Sequence, residues 1–469
     1  MLILRDYQED AYQRTRLAAK KSKRILLVAP TGSGKTVIAS HFIASAVAKH
    51  NSVLFSGPRR EIIVQTSKKL HAYEVDHGII MNGFRPRIAP LVQVASWQTL
   101  IRRDFPPAKI LFIDEAHGAR SASYKKIIEH YDDAFIIGLT ATPCRADGKG
   151  LGNIFDEMVE VSDMQSLIDD GYLVPNKVYA PSEPDLKGVK TVRGDYEKEE
   201  LQKRSDQPKL VGDIVDHWIE LAKGRSTVAF ASGVAHSLHI VDAFRAAGIS
   251  AEHIDGDTEK HHREEILNRL IRGETKVVSN VGVLTEGWDA PEVSCLILAR
   301  PTKSFGLYMQ MAGRVLRPHD GKDHALILDH AGNTLRHGFI HEPIEWSLDT
   351  DESIDKKRKA EREKRERTEW VCDHCYAVNE PHRQLCGNCG LRPVRQAVNV
   401  AVGDGKLKEL KHAPRPKISK EEKQALINKL VAEAQANGYQ RGWVAHRYKA
   451  VTGVWPRGLK FDYQKEAWR

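Results

Sequence analysis

The sequence predicts an α/β protein with two consecutive parallel-sheet halves, followed by a small cysteine module and a helical C-terminal segment. Three observations carry this. Short apolar runs bounded by turn residues recur along the chain, each followed by a helical pattern: RILLVAP, SVLFSGP, KILFIDE and AFIIGLT, then STVAFAS, KVVSNVG, SCLILAR and ALILDH. Unbroken apolar runs of this kind suit strands covered by helices on both faces, the condition inside a parallel sheet. The 469 residues exceed what one core holds at about 150 residues per domain. Finally, four of the six cysteines stand together as CDHC and CGNC, too few and too clustered for a disulfide scaffold.

The first half is expected over residues 1–155. In it, RILLVAPTGSGKTVIASHFIA reads as a strand, a glycine-bearing loop and an amphipathic helix, the context a phosphate-binding loop requires. Gly32 and Gly34 let the loop's backbone N–H groups, through Ser33, face phosphate. Lys35 supplies a point charge to the outer phosphates, and Thr36 offers a hydroxyl to Mg2+. Ala29 stands where the general pattern has its first glycine. Farther on, KILFIDEAHGA ends a buried strand in two carboxylates, Asp114 suited to hold Mg2+ through water and Glu115 to orient or deprotonate an attacking water. By themselves these acids would equally suit the positive end of a helix; their place downstream of a phosphate loop favours the catalytic reading.

The second half is expected over residues 172–346. There QMAGRVLRP sets Arg314 and Arg317 three residues apart, on the same side of a helix, where both reach one multiply charged anion. A basic face turned to solvent or nucleic acid is the plainer alternative. Given a phosphate loop in the first half, the two arginines would meet the terminal phosphate as the halves close, and an arginine finger of that kind contributes on the order of 10³ to 10⁵ in rate.

With these residues placed, residues 1 to about 345 resemble a superfamily 2 helicase of the DEAH-box type, and the motifs occur in that family's order. The resemblance implies two RecA-like domains that bind ATP between them and nucleic acid across them. LRDYQ resembles the adenine-recognition element, making Gln8 the base contact with Arg5 and Tyr7 as helpers. GLTATP resembles the third motif, so Thr140 and Thr142, with His117 of DEAH, would couple hydrolysis to the grip on nucleic acid. GVLTEGWDAP resembles the fifth, with Gly287 and Asp289 near the ribose and Thr285 nearer the nucleic-acid backbone; Gln310, Arg314 and Arg317 fill the sixth. GPRRE, ASWQT and FASGV would add Pro58, Arg59, Ser96, Gln98 and Ser232 to a backbone track, contacts that position without reading sequence. Within the superfamily, ARPTKSFGLYMQMAGRVLRP with ILDHAGN most resembles bacterial and phage RadD-type helicases, from which DEAH departs where that group more often has DECH. That resemblance implies an ATP-dependent DNA helicase or translocase in repair, recombination or replication restart. Alternatives are a duplex translocase or restriction-type motor subunit that separates no strands, an RNA helicase, and an ATP-switched binding protein.

Composition agrees with a polyanionic partner. Lysine and arginine outnumber the acids 71 to 62, a net charge of +9. The expected partners are single-stranded, forked or duplex DNA, with RNA as the alternative, and single-strand-binding or replication and repair proteins. No apolar run approaches the length of a membrane span and MLILRDYQED is charged by its fifth residue, so the expectation is a cytoplasmic, nucleoid-associated protein without membrane contact.

Residues 349–369 are almost free of apolar side chains and read as a charged linker helix. WVCDHCYAVNEPHRQLCGNC, within 370–393, holds two Cys-x-x-Cys hooks ten residues apart; Cys372, Cys375, Cys386 and Cys389 suit tetrahedral Zn2+, without which so short a segment would hardly fold. With Trp370 and Asn379 in place it also resembles the RanBP2-type zinc finger, and a plain zinc ribbon fits as well. A spacer runs to about Pro416, and residues 418–469 read as a basic, aromatic helical module whose Trp443, Tyr448 and Trp455 either stack on bases or form its core.

Overall fold

The computed structural model describes residues 3–349 apart from 119–121, 145–147, 181–189, 193–194, 207 and 286, and beyond them 370–371, 378–379, 408–410, 420–436, 444–445, 447–448 and 456. The first lobe opens with α1 (Asp6–Ala18), β1 (Arg24–Val28), α2 (Lys35–Val47), β2 (Val53–Gly57), α3 (Arg60–Ala72), β3 (His77–Ile80) and β4 (Val92–Ser96). It continues through α4 (Trp97–Leu100), β5 (Ile110–Asp114), α5 (Ala122–His130), β6 (Phe135–Thr140) and β7 (Glu157–Glu160). Its seven strands make one parallel sheet in the order β3-β4-β2-β5-β6-β1-β7. Alternation within β1 shows why its run is apolar throughout. Ile25 and Leu27 pack with the core beneath α1, α2 and α3, whereas Leu26 and Val28 pack on the opposite face with Trp97, Tyr124 and Phe155. At Gly138 of β6 a side chain would start 2.3 Å from the Phe155 ring, so this glycine makes room for the aromatic plug of that second core.

A connector with α6 (Met164–Asp169) leads to β8 (Asn176–Ala180) of the second lobe. Next come a hairpin of β9 (Thr191–Val192) and β10 (Asp195–Tyr196), then α7 (Lys198–Ser205), α8 (Pro208–His217), β11 (Thr227–Phe230), α9 (Val234–Ala246) and β12 (Ala251–Ile254). The lobe closes with α10 (Lys260–Ile271), β13 (Val277–Asn280), β14 (Cys295–Leu298), α11 (Phe305–Ala312), β15 (Ala325–Asp329) and α12 (Asn333–His337). Past it lie β16 (Trp370–Val371), β17 (Val378–Asn379), β18 (Lys408–Leu410) and α13 (Lys420–Ala436). The second sheet has the order β12-β13-β11-β14-β15-β8-β18, parallel except for β18, which runs antiparallel along β8. Cys144 and Cys295 are buried in these cores, and burial pushes the Cys295 thiol up to about 12, which makes it inert.

Four features differ from the sequence reading. The first sheet continues past Phe155 to β7, a four-residue acidic edge strand in which only Val159 is fully buried, so it shows no apolar run. The spacer before Pro416 contributes β18, which is anchored by pairing with β8 and carries no strand pattern of its own. Residues 195–196 form part of a hairpin held by Asp195, whose carboxylate accepts from Lys303 N (2.7 Å), Thr302 Oγ1 (2.9 Å) and Arg300 Nη2 (3.2 Å). Lastly, α11 ends at Ala312 and tightens into a 3₁₀ turn over Gly313–Val315, so Arg314 and Arg317 do not share the face of one α-helix.

Trp370 pairs with Asn379 and Val371 with Val378 in an antiparallel ladder. The four cysteines, the linker after Asp349, Trp443 and Trp455 lie outside the described residues. Tyr448 is buried with Ile427, Leu430, Val431, Ala434 and Val444, so this aromatic belongs to a small core around α13 and presents no face for stacking. Among the described residues no helix is long and apolar enough to cross a membrane.

Candidate nucleotide site between the lobes

β1 delivers the chain to the loop Ala29–Gly34, and α2 starts immediately after it. Ala29 is fully buried and its N–H donates to Thr140 O at 2.9 Å, so the strand simply continues where the general pattern has a glycine. Gly32 and Gly34 have φ of +88° and +83°, left-handed conformations that curl the loop onto the positive end of α2, while Ser33 N donates to Pro30 O at 3.1 Å. Tyr7 OH and Gln8 Nε2 both donate to Ser33 O, at 2.8 and 3.0 Å, which docks the start of α1 on the loop. A side chain at Gly34 would begin 2.5 Å from Gln8 Nε2. Lys35 and Thr36 are half-buried at the first turn of α2.

Two carboxylates end β5. Asp114 is buried and accepts Glu115 N at 2.9 Å, while its own carbonyl accepts Tyr124 OH at 2.7 Å. Glu115 has φ of +50°, a left-handed conformation uncommon for a side-chain-bearing residue and typical of held functional geometry. Its Oε2 is buried without a hydrogen-bond partner, 3.4 Å from His117 Nδ1. Burial by itself would raise this carboxyl; the positive field of Lys35, His117, Arg314 and Arg59 outweighs it and holds Glu115 below the ordinary carboxylate range. His117 Nδ1 also lies 3.3 Å from Thr140 Oγ1, which takes Thr142 N (3.1 Å) and donates to Thr142 O (2.9 Å). A side chain at Gly306 of α11 would stand 3.3 Å from Thr142 Oγ1, so this chain of contacts ends on the second lobe.

The second lobe reaches the phosphate loop directly. A side chain at Gly313 would begin 2.7 Å from Thr31 Cβ, and one at Gly32 would begin 3.4 Å from Arg317 Cγ. The arginines do different things here. Arg314 is buried and donates from Nε (3.1 Å) and Nη2 to Thr285 O and from Nη1 to Trp288 O (2.7 Å). Arg317 pairs with Asp289, and burial lowers it to about 10, which leaves it charged at neutral pH. Gln310 is buried on α11, and Gly287 sits against α3 of the first lobe, its carbonyl accepting Gln65 Nε2 at 2.8 Å.

The residues assigned to a nucleic-acid track divide into two groups. Pro58 and Arg59 are half-buried and Gln98 is exposed, with Gln98 Nε2 donating to Pro58 O at 2.9 Å. Ser96, Ser232 and Thr285 are buried with hydroxyls already bonded inside the protein, to Thr99 (2.9 Å), His236 (2.7 Å) and Gly282 O (3.2 Å). Sequence reasoning missed the connector. Leu173 Cδ2 would stand 2.9 Å from a side chain at Gly32, and Val174 N donates to Leu316 O at 2.8 Å. It also missed Trp346, which packs against the cores of both lobes. No local pattern marks these residues, since their partners are remote in the chain.

Two α/β lobes thus meet at a glycine loop of the first, with Arg317 of the second lobe beside it, an arrangement suited to holding a nucleoside triphosphate. Residues 1–145 match the family described as type III restriction enzyme, res subunit, and residues 208–319 match the helicase conserved C-terminal domain. One match falls on each lobe, and together they support a superfamily 2 helicase or translocase, a type of enzyme that works with ATP and Mg2+. It is 29% identical to a 51.5 kDa protein of a Lactococcus phage over 78% of this chain and 77% of that one. It is 33% identical to IRC3 of Saccharomyces cerevisiae, described as a candidate ATP-dependent helicase, over 70% of this chain but only 52% of the yeast protein's length. The restriction-modification enzyme LlaBIII, solved bound to DNA, shares the fold with a TM-score of 0.55 and 20% identity, covering 70% of this chain and 27% of that one.

Proposed function

We propose that this chain is a DNA-dependent ATPase that moves along or opens DNA, in repair, recombination or replication restart as RadD-type helicases do. The observation that carries the reading is Glu115, a buried carboxylate whose Oε2 accepts no hydrogen bond and lies 3.4 Å from His117 Nδ1, ringed by positive groups from both lobes. A buried acceptor left without a donor costs about 1–3 kcal/mol, and a water held for attack on a terminal phosphate would satisfy it. The glycine-lined N-terminus of α2 and the two carboxylates of β5 suit a magnesium nucleotide. Gln8 and Arg5 would hold the base, and Gly32, Ser33, Gly34 and Lys35 the phosphates. Thr36 and Asp114 would hold Mg2+, which when bound neutralises phosphate charge. Glu115 accepts the proton of the attacking water, while Arg314 and Arg317 offset charge developing at the phosphate and Gln310 helps set their approach. Asp289 fixes Arg317, and Gly287 keeps the same loop against α3 beside the ribose. His117, Thr140 and Thr142 pass the state of the site to α11. Pro58, Arg59 and Gln98 offer a surface to DNA, whereas Ser96, Ser232 and Thr285 would exchange an internal hydrogen bond for a phosphate.

DNA is favoured over RNA by the restriction-enzyme family match and is compatible with the net charge of +9. Residues 370–393 are assigned as a zinc-bearing accessory unit on the cysteine spacing, and residues 418–469 as a helical module. The test is steady-state ATPase activity at one salt concentration with no nucleic acid, single-stranded DNA, blunt duplex, forked DNA and single-stranded RNA. Stimulation strongest with single-stranded or forked DNA is expected. Equal or greater stimulation by RNA would move the assignment to RNA remodelling, and none by any of them would leave ATP as a switch.

A further inference from the structure

We propose that Tyr172, in the connector between the lobes, is the stacking wall for the nucleotide base, an inference that rests on reading the site as an ATP site. Three aromatic or planar groups meet beside the phosphate loop. The Arg5 guanidinium carbon lies 4.7 Å above the Tyr172 ring centroid, and the Tyr7 ring centre is 4.9 Å from it at an interplanar angle of 57°. Tyr7 and Gln8 are held on the loop through Ser33 O, so the cluster is fixed relative to the phosphate cradle. Tyr172 itself is partly exposed and Arg5 is exposed. The planar, charged Arg5 guanidinium stands in for the base, occupying the ring face that a purine would take. Inserting a purine requires only that this long, solvent-exposed side chain lift away by about one ring thickness, after which the base lies between a cation and an aromatic face.

The position also gives the base a route to the chemistry. Leu173, next in sequence, is buried against Gly32, and Val174 N donates to Leu316 O at 2.8 Å, one residue before Arg317. Three consecutive residues therefore touch the base pocket, the phosphate loop and the strand of chain that carries an arginine of the second lobe. A base stacked on Tyr172 fixes the connector and with it the placement of Arg317.

The test compares equilibrium binding of magnesium ATP with that of magnesium tripolyphosphate, which has no base, to the full chain and to Tyr172→Ala and Tyr172→Phe. Loss of a base stack weakens ATP binding by about 10- to 100-fold on the usual scale of aromatic stacking. The expected result is that loss in Tyr172→Ala, near-normal affinity in Tyr172→Phe, and tripolyphosphate binding unchanged in both. Unchanged ATP affinity in Tyr172→Ala overturns the proposal, and so does equal weakening of both ligands, which would mark a structural role. Binding is read without turnover, so failure of the ATPase reading appears separately, as absence of hydrolysis by the unaltered chain.

Discussion

Arg314→Ala and Arg317→Ala should both abolish most hydrolysis but differ sharply in stability. Arg314 is 7% exposed and satisfies two carbonyls, Thr285 O and Trp288 O, in the loop that also carries Asp289. Hydrogen bonds to a charged group contribute about 1.5–3 kcal/mol each, so stripping both carbonyls should destabilise the second lobe by about 3–6 kcal/mol. For a unit of this size that lowers Tm by on the order of 10 °C. Arg317 pairs with an Asp289 side chain that is 51% exposed, and a solvent-screened pair of that kind contributes about 0–1 kcal/mol. Its removal should leave the melting profile nearly unchanged while kcat falls by roughly 10³ or more. Calorimetry with kcat at saturating ATP and DNA reads both quantities. Equal thermal losses in the two variants, or an Arg314→Ala protein that melts like the unaltered chain, would refute the division of labour drawn from their contacts.

Other outcomes are equally specific. Glu115→Gln should still bind ATP but lose about 10² to 10⁴ in kcat, and normal turnover would remove Glu115 from the mechanism. Because the Glu115 carboxyl is held below its ordinary range, it stays ionised through neutral pH, and its contribution to turnover should disappear only as pH falls through that lowered value. His236 is 1% exposed, accepts Ser232 on Nδ1, and is lowered by burial to about 4. Its folded pKa lies below the unfolded value of about 6.5, so the unfolded chain binds more protons and stability falls with acidification, by about 2 kcal/mol between pH 7 and 5. Urea unfolding of the unaltered chain and His236→Asn at both pH values checks this; identical pH dependence would contradict it. A side chain at Gly150 or Gly152 would start 2.3 or 2.5 Å from the Leu348–Asp349 backbone, which accepts both glycine amides at 2.7 Å. Gly152→Val should therefore release that segment from the first lobe and speed proteolysis near residue 348, and an unchanged cleavage pattern would show that the contact is dispensable. Purified protein should carry one zinc per chain, lost in Cys372→Ser with Cys375→Ser; metal-free protein with β16 and β17 still paired would rule the assignment out.

Much of the strand content was legible because its signals are local, and the side chains proposed for the nucleotide site stand in equally local patterns. Buried parallel strands must be apolar on both faces, and a phosphate loop needs glycine, lysine and hydroxyl at fixed offsets whatever surrounds them. Thus the runs from RILLVAP to ALILDH, the GSGKT loop and the DEAH carboxylates stand in the sequence by themselves. Only the tertiary structure separates Arg314, buried on two carbonyls, from Arg317, poised beside Gly32, since an identical residue three positions on carries no mark of its burial. It likewise decides that the short acidic stretch ending at Glu160 is an edge strand and that residues 408–410 pair with β8, because edge pairing uses backbone groups that every sequence has. The connector at Tyr172 and Leu173 belongs to the same class. Its importance comes from lying against Arg5 and Gly32, more than a hundred residues away, and proximity of that kind is a property of the folded chain alone.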